Sequence, residues 1–198
     1  LPATLGGVSL SVVDAAGAER GAPLFYVSPG QINFVVPDGT VPGPATFVVR
    51  NGAASQTAFA AVASVVPTLF SMNGTGSGVA AATAILTQAG NPQLQSPVQV
   101  FQCTASGCTP VPIRLGIDTP IYVTFYGTGI RNRSSLENVT ATIAGMSVPV
   151  LYAGPTPGFA GLDQVNVALI LGLRGRGECP VVFKVDGQTS NTVTINIQ

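Results

Sequence analysis

Apolar and polar residues alternate in short segments along the whole chain. The segments at residues 8–12, 121–126, 139–143 and 193–197 place apolar side chains at every second position, which is the period of a half-buried β-strand. The chain has 24 glycines and 16 prolines, and these interrupt it too often for long helices. Short strands separated by frequent turn signals predict an all-β fold of the sandwich type.

Several short blocks occur twice, in the same order along the chain. The paired blocks are residues 23–26 with 149–152, 31–36 with 164–169, and 47–52 with 182–187. A small polar turn and a last alternating strand follow in each copy. Ordered matches of this kind indicate an internal duplication.

The duplication predicts two tandem immunoglobulin-like β-sandwich units, at residues 1–65 and 66–198. In the second unit the strand at residues 121–126 precedes the repeated blocks, and the first unit has no equivalent. We therefore expect the first unit to lack its first strand and to leave an open sheet edge, which proteins normally cover. A strand upstream of this chain is our hypothesis for the cover; the middle segment and a second molecule are the alternatives.

Two dipeptides, Asn51-Gly52 and Asp186-Gly187, are typical of type I′ hairpins, which need positive φ at both central residues. In the middle of the chain we expect a strand followed by a hairpin. Residues 78–86 are rich in alanine and could form a helix, but the glycines before them favour a strand. We expect a hairpin insert in the second unit, with arms at residues 98–103 and 111–115.

The chain has three cysteines. Cys103 and Cys108 flank a turn-forming spacer, which predicts a disulfide across the hairpin and an oxidising compartment. Two free thiols or half of a metal site are the alternatives. A metal site is disfavoured because the chain has no histidine and Cys179 is the only other sulfur ligand. Cys179 is expected to be buried and inert.

Charge is scarce and balanced. Charged residues make up 8% of the chain and the formal net charge is zero, so the sequence carries no electrostatic footprint for nucleic acid or an anionic membrane. Mean hydropathy is +0.46, yet no apolar run approaches the ~18 residues of a membrane span. We expect neither nucleic-acid binding nor membrane insertion.

The composition also restricts catalysis. Without histidine there is no Ser-His-Asp triad, no Cys-His pair and no imidazole metal site. Lys184 is the only lysine, which leaves little scope for a lysine-activated serine. Paired carboxylates remain a formal route to hydrolysis. We expect no enzyme activity, no cofactor and no metal.

Four residues are candidate ligand contacts. Phe159 lies in an inserted Gly/Pro-rich loop, where it could stack on a sugar or pack on its own domain. Asp163 follows this loop and could contact a ligand or a cation, or could cap a turn. Gln164 and Asn166, like Gln31 and Asn33, share one strand face and could bind a ligand or tie a loop to the sheet.

Three stretches of the chain also resemble a known family. They are residues 26–37 (YVSPGQINFVVP), 125–130 (FYGTGI), and 152–155 with 161–167 (YAGP, GLDQVNV). They resemble the uncharacterised Solibacter-type C-terminal domain of secreted acidobacterial proteins. Residues 123–129 (VTFYGTG) are also similar to the opening strand of IPT/TIG immunoglobulin-like repeats. The resemblance implies a β-sandwich at the end of large exported proteins, and it implies no reaction.

These observations lead to one functional expectation and two alternatives. We expect a secreted or cell-surface, non-catalytic module that has a structural or adhesive role in a larger exported bacterial protein. Its expected partners are other domains of the parent polypeptide, and a surface polysaccharide or protein. The alternatives are an accessory carbohydrate-binding module and a hydrolase that uses Asp163 with another carboxylate.

Overall fold

The computed structural model describes all residues from Leu1 to Gln198 and contains twenty β-strands. The one helical element is a single 3-10 turn, Leu171–Leu173, and no helix is long and apolar enough to span a membrane. The all-β class predicted from the alternating pattern is confirmed. The chain forms two compact units, Leu1–Ser64 and Val65–Gln198, which we call unit 1 and unit 2.

Unit 1 has seven strands in two antiparallel sheets. They are β1 (Thr4–Leu5), β2 (Val8–Val13), β3 (Glu19–Gly21), β4 (Leu24–Ser28), β5 (Gln31–Phe34), β6 (Gly43–Asn51) and β7 (Ala54–Val62). The larger sheet has the order β1-β2-β6-β7, and β3 also pairs with β2. The smaller sheet consists of β4 and β5 alone.

The core of unit 1 is small. Its buried apolar side chains are Leu10, Val12, Ala22, Leu24 and Ala45. Ile32 and Phe34 of β5 pack against this cluster but remain only half-buried. Phe34 contacts Phe47 of β6, with ring centroids 5.9 Å apart. Strand β5 therefore contributes to the core while part of its apolar face stays accessible.

Unit 2 has thirteen strands. They are β8 (Thr68–Leu69), β9 (Ala82–Gln88), β10 (Asn91–Val98), β11 (Phe101–Thr104), β12 (Gly107–Pro110), β13 (Ile121–Thr128), β14 (Val139–Ile143), β15 (Met146–Val148), β16 (Val150–Pro155), β17 (Asp163–Ala168), β18 (Gly177–Val185), β19 (Gln188–Thr189) and β20 (Val193–Ile197). One sheet has the order β10-β9-β13-β17-β16, with β8 beside β13. A second has the order β15-β14-β18-β19, with β20 beside β18. Strands β11 and β12 form a separate hairpin.

The two large sheets of unit 2 enclose one core. Phe125 of β13 meets Phe183 of β18 edge to face, with ring centroids 5.4 Å apart. Both rings are buried, together with Val165 of β17 and Ile195 of β20. Two antiparallel sheets that share one apolar core are consistent with a β-sandwich.

The middle segment differs in part from the sequence expectation. Strand β9 covers most of the stretch for which a strand was favoured over a helix. A turn at Ala89 and Gly90 leads to the antiparallel strand β10, which is mostly polar and is not predicted by the sequence. The expected first hairpin arm, residues 98–103, is confirmed only at residues 101–103, and the expected second arm, residues 111–115, is wrong. The two-residue turn at Ala105 and Ser106 sets Cys103 opposite Cys108, so the arms are β11 and β12.

The two predicted type I′ turns have different outcomes. Asp186 and Gly187 both have positive φ, 47° and 86°, and close a two-residue loop as expected. The prediction for Asn51-Gly52 is wrong because Asn51 still pairs with Ala54. The loop there is Gly52 and Ala53, with positive φ only at Gly52, which is the pattern of a type II′ turn. The sequence match of residues 47–52 with 182–187 is thus one residue out of step at the turn.

Several strand pairings recur in the two units, although β1, which pairs with β2, has no counterpart in unit 2. Strand β2 pairs with β3 and β6 as β14 pairs with β15 and β18, and β6 pairs with β7 as β18 pairs with β20. The β4–β5 hairpin corresponds in the same way to β16–β17. Both hairpins contain a register shift, at Phe25 and at Leu151. They differ at one edge: β17 also pairs with β13, whereas β5 has no second partner.

Candidate functional site

Asp163 is a buried structural carboxylate at the start of β17. Its Oδ2 accepts the backbone N–H groups of Ile130, at 2.7 Å, and Arg131, at 3.1 Å. Its Oδ1 accepts Nε of Arg131 at 2.7 Å, and Arg131 also donates to the carbonyl of Leu162 at 3.0 Å. The residue is 0% exposed. These bonds fasten the turn after β13 to the first residue of β17, and they direct both carboxylate oxygens away from solvent.

The Gly127-Thr128-Gly129 stretch marks a close approach of backbones. A Cβ on Gly127 would lie 2.2 Å from the carbonyl oxygen of Thr68, and one on Gly129 would lie 2.1 Å from that of Val66. Gly127 pairs with Leu69 of β8 at this point. The glycines are therefore required because another chain segment passes directly over them.

The two amide pairs lie on outward-facing strand positions. Val165 is buried on β17, so Gln164 and Asn166 face the opposite side of the sheet. Gln164 Nε2 donates to Asn166 Oδ1 at 3.4 Å. In unit 1, Gln31 Nε2 donates to Asn33 Oδ1 at 2.6 Å. Each pair is thus joined internally on the outer face of its sheet.

Tyrosines from the neighbouring strands flank the amides of unit 2. Tyr126 of β13 lies opposite Gln164, and Tyr152 of β16 lies opposite Asn166. Residues opposite each other in an antiparallel pair project to the same face. We call Tyr126, Tyr152, Gln164 and Asn166 the amide–tyrosine face. Tyr126 OH lies 3.1 Å from Oγ1 of Thr83, which extends this polar surface onto β9.

The two tyrosines were not among the residues selected from the sequence. The alternation in residues 121–126 could have identified Tyr126, because Val123 and Phe125 occupy the core side of β13. Aromatic and amide side chains on one half-exposed sheet face can stack on a sugar ring and hydrogen-bond its hydroxyl groups.

Phe159 lies apart from the strand positions, in the loop between β16 and β17. Its side chain is exposed, at 63% of its maximal accessible area. Hydrogen bonds from Thr156 N–H to the Leu162 carbonyl, and from Phe159 N–H to the Thr156 carbonyl, close the loop. The loop therefore presents Phe159 to solvent from an ordered turn.

Two other carboxylates also hold backbone segments. The side chain of Asp14 is inaccessible to solvent. It accepts hydrogen bonds from the N–H groups of Ala16, Ala18 and Val41 and forms an ion pair with Arg20. The Val41 N–H makes the largest contribution to lowering the pKa of Asp14, and burial opposes it. Asp186 accepts the N–H and the hydroxyl of Ser134, at 2.8 and 2.6 Å. Like Asp163, these acids hold loop backbones in place.

The cysteines divide into a bonded pair and a buried thiol. Cys103 and Cys108 are joined by a disulfide across the β11–β12 hairpin. Cys179 is free and buried on β18, and burial raises the pKa of its thiol, an effect that Arg176 partly opposes. No group of three or more His, Cys, Asp and Glu side chains is placed to hold a metal ion.

Comparisons with family models, curated proteins and solved structures give no match to this chain.

Proposed function

We propose that the chain is a non-catalytic module of a larger exported protein, built from two immunoglobulin-like units related by duplication. The observation that carries the proposal is that the two buried acids, Asp14 and Asp163, hold loops in place. Asp14 and Asp163 direct their carboxylates at backbone N–H groups and at one arginine each. A carboxylate held in this way positions a loop and has no accessible oxygen for proton transfer to a substrate.

The duplication is supported by the matching strand pairings and by the matching hairpins. Tyr26 and Asn33 are opposite each other in unit 1, as Tyr152 and Asn166 are in unit 2. Such units, joined in tandem, suit a structural or adhesive role outside the cell. The disulfide between Cys103 and Cys108 supports an extracellular or cell-surface location, because disulfides persist in oxidising compartments. The Solibacter-type and IPT/TIG-like resemblance agrees with this role.

The test is a panel of chromogenic glycoside, ester and peptide substrates, together with a screen of cell-wall and polysaccharide surfaces. We expect no turnover of any substrate. Turnover that disappears when one carboxylate is replaced, in a variant that keeps its thermal unfolding midpoint, would contradict the proposal. Alkylation of protein isolated without reductant should modify no more than Cys179.

The amide–tyrosine face favours a second candidate, an accessory carbohydrate-binding module. Tyr126→Ala and Gln164→Ala should each weaken binding to a polysaccharide found in the screen by roughly tenfold, the effect of losing one stacking or hydrogen-bonding contact. Phe159→Ala tests whether the inserted loop takes part. Gln31→Ala is the matched control, because it removes the corresponding amide from unit 1. Equal affinity of all four variants and the parent chain would exclude this face as the binding site.

A further inference from the structure

The β5 edge of unit 1 is unpaired, whereas the corresponding edge in unit 2 is paired. In unit 2, Ala168 N–H donates to the Pro149 carbonyl, and in unit 1 Val35 N–H donates to the Pro23 carbonyl. The two bonds occupy matching positions of the β16–β17 and β4–β5 hairpins. The hairpins can therefore be aligned residue by residue, with Ile32 at the position of Val165 and Phe34 at that of Val167.

This alignment shows which backbone groups of β5 lack a strand partner. Hydrogen-bonding groups alternate between the two edges of a strand. Because Val35 is directed to β4, Ile32 and Phe34 direct their N–H and C=O groups to the open edge. In unit 2, Leu169 N–H donates to the Ile121 carbonyl on β13, so Val165 and Val167 also face β13, opposite Phe125 and Val123.

The apolar faces differ in the same way. Val165 and Val167 are each 0% exposed, because Val123 and Phe125 of β13 lie beside them in the core. Ile32 and Phe34 are half-buried. An added strand at this edge would satisfy the free backbone groups and cover both side chains, as strand addition to an open sheet edge does elsewhere.

We propose that the open edge of β5 accepts an additional antiparallel strand with the chemistry of β13, apolar at every second residue and glycine near its end. The inference rests on the proposed equivalence of the two units. The order of elements in unit 2 gives the source, since β13 comes before β14. The donor that we propose takes the corresponding place, before β1 in the order of elements. A second copy is a poor donor because its own β13 forms the centre of its sheet.

A peptide with the sequence of residues 119–130, flanked by lysines for solubility, tests the edge in the intact chain. Added to isotope-labelled protein, it should bind and slow amide hydrogen exchange at Ile32 and Phe34. N-methylation of the peptide at Phe125 should weaken binding by roughly tenfold or more, because it removes a hydrogen bond to the edge. N-methylation at Thr124, which faces the other side, is the matched control and should weaken binding much less.

A second arm keeps the test decisive if the free peptide binds too weakly. The same sequence is fused ahead of Leu1 through a glycine-serine linker, and a scrambled sequence is fused as the control. Only the fusion that carries the unscrambled sequence should raise the unfolding midpoint of unit 1. Failure of both arms, protection of β7 in place of β5, or dimerisation through this edge would overturn the proposal. The substrate panel tests the non-catalytic role separately.

Discussion

Arg131 and Asp163 form an ion pair with 2.7 Å between Nε and Oδ1, and the carboxylate is fully buried. The pair connects the turn after β13 to the start of β17. The backbone N–H groups of Ile130 and Arg131 donate hydrogen bonds to the other carboxylate oxygen, Oδ2. A carboxylate at this position, next to an inserted loop, is thereby explained by the fold of unit 2.

Replacing Asp163 should destabilise unit 2. In Asp163→Ala, two backbone N–H groups and the Arg131 guanidinium lose their acceptor, so we expect the free energy of unfolding to fall by about 3 kcal/mol. Chemical denaturation monitored on unit 2 measures the change. Asp118→Ala removes an exposed acid from the same unit and should have little effect. A loss below about 1 kcal/mol in Asp163→Ala would contradict the structural role.

Unit 1 should lose stability in acid through Asp14. The backbone N–H of Val41 leads the contacts that hold the pKa of Asp14 below its ordinary value. A lowered pKa in the folded state means that stabilisation is present above the unfolded pKa, about 4, and is lost as pH falls through the folded pKa. Unfolding midpoints of unit 1 measured from neutral pH down to acid should decline accordingly.

The Asp14→Asn variant identifies the group responsible. It should unfold at lower temperature than the parent at neutral pH, because an amide nitrogen cannot accept the hydrogen bonds that the carboxylate accepts. The unfolding midpoint of this variant should also depend less on pH. Asp38→Asn changes an exposed acid of unit 1 and should leave the pH profile unaltered. An unchanged profile in Asp14→Asn would contradict the assignment.

Cys179 should report the unfolding of unit 2. It is the free cysteine of the oxidised chain and is buried, and burial raises the pKa of its thiol. The reactive thiolate is therefore scarce in the folded state near neutral pH. Labelling by a thiol reagent should be slow in buffer and should accelerate across the denaturation transition of unit 2. Rapid labelling under native conditions would show that this part of the core is open.

Gly127 should be intolerant of any side chain. In Gly127→Ala the added methyl would meet the Thr68 carbonyl oxygen at 2.2 Å, so β8 must move away from β13. We expect a destabilisation of about 2 kcal/mol from this overpacking. Gly158→Ala is the control, because the space around Gly158 is open and only its positive φ of 80° opposes a side chain. That variant should lose about 1 kcal/mol. Equal losses in the two variants would contradict a steric role for Gly127.

Much of the strand arrangement could be predicted from alternation. In β13, β17 and β20 every second residue is buried, and this pattern is visible in the sequence. Strand β10 has no alternation of apolar and polar residues, because both faces are exposed and most of its side chains are polar or proline, so the sequence does not predict it. Its formation depends on pairing with β9.

The register of turns and the close contacts between backbones could not be predicted from the sequence. Asn51-Gly52 has the composition of a type I′ turn, but the pairing of Asn51 with Ala54 shifts the loop by one residue. The close approach of Thr68 to Gly127 joins segments far apart in the sequence. Neither local composition nor period encodes such a contact. In the amide–tyrosine face, the amides were recognised as a repeated motif, whereas Tyr126 is brought to them only by the β13–β17 register.

The most direct test of the open β5 edge is residue-specific amide hydrogen exchange in the unmodified chain. It compares Ile32 and Phe34 with the corresponding Val165 and Val167. If the two hairpins match except for the strand beyond β5, the unit 1 amides should exchange faster than those of unit 2, on the order of a hundredfold or more. Equal protection at both pairs of positions would mean that the β5 edge is already covered, and it would contradict the account.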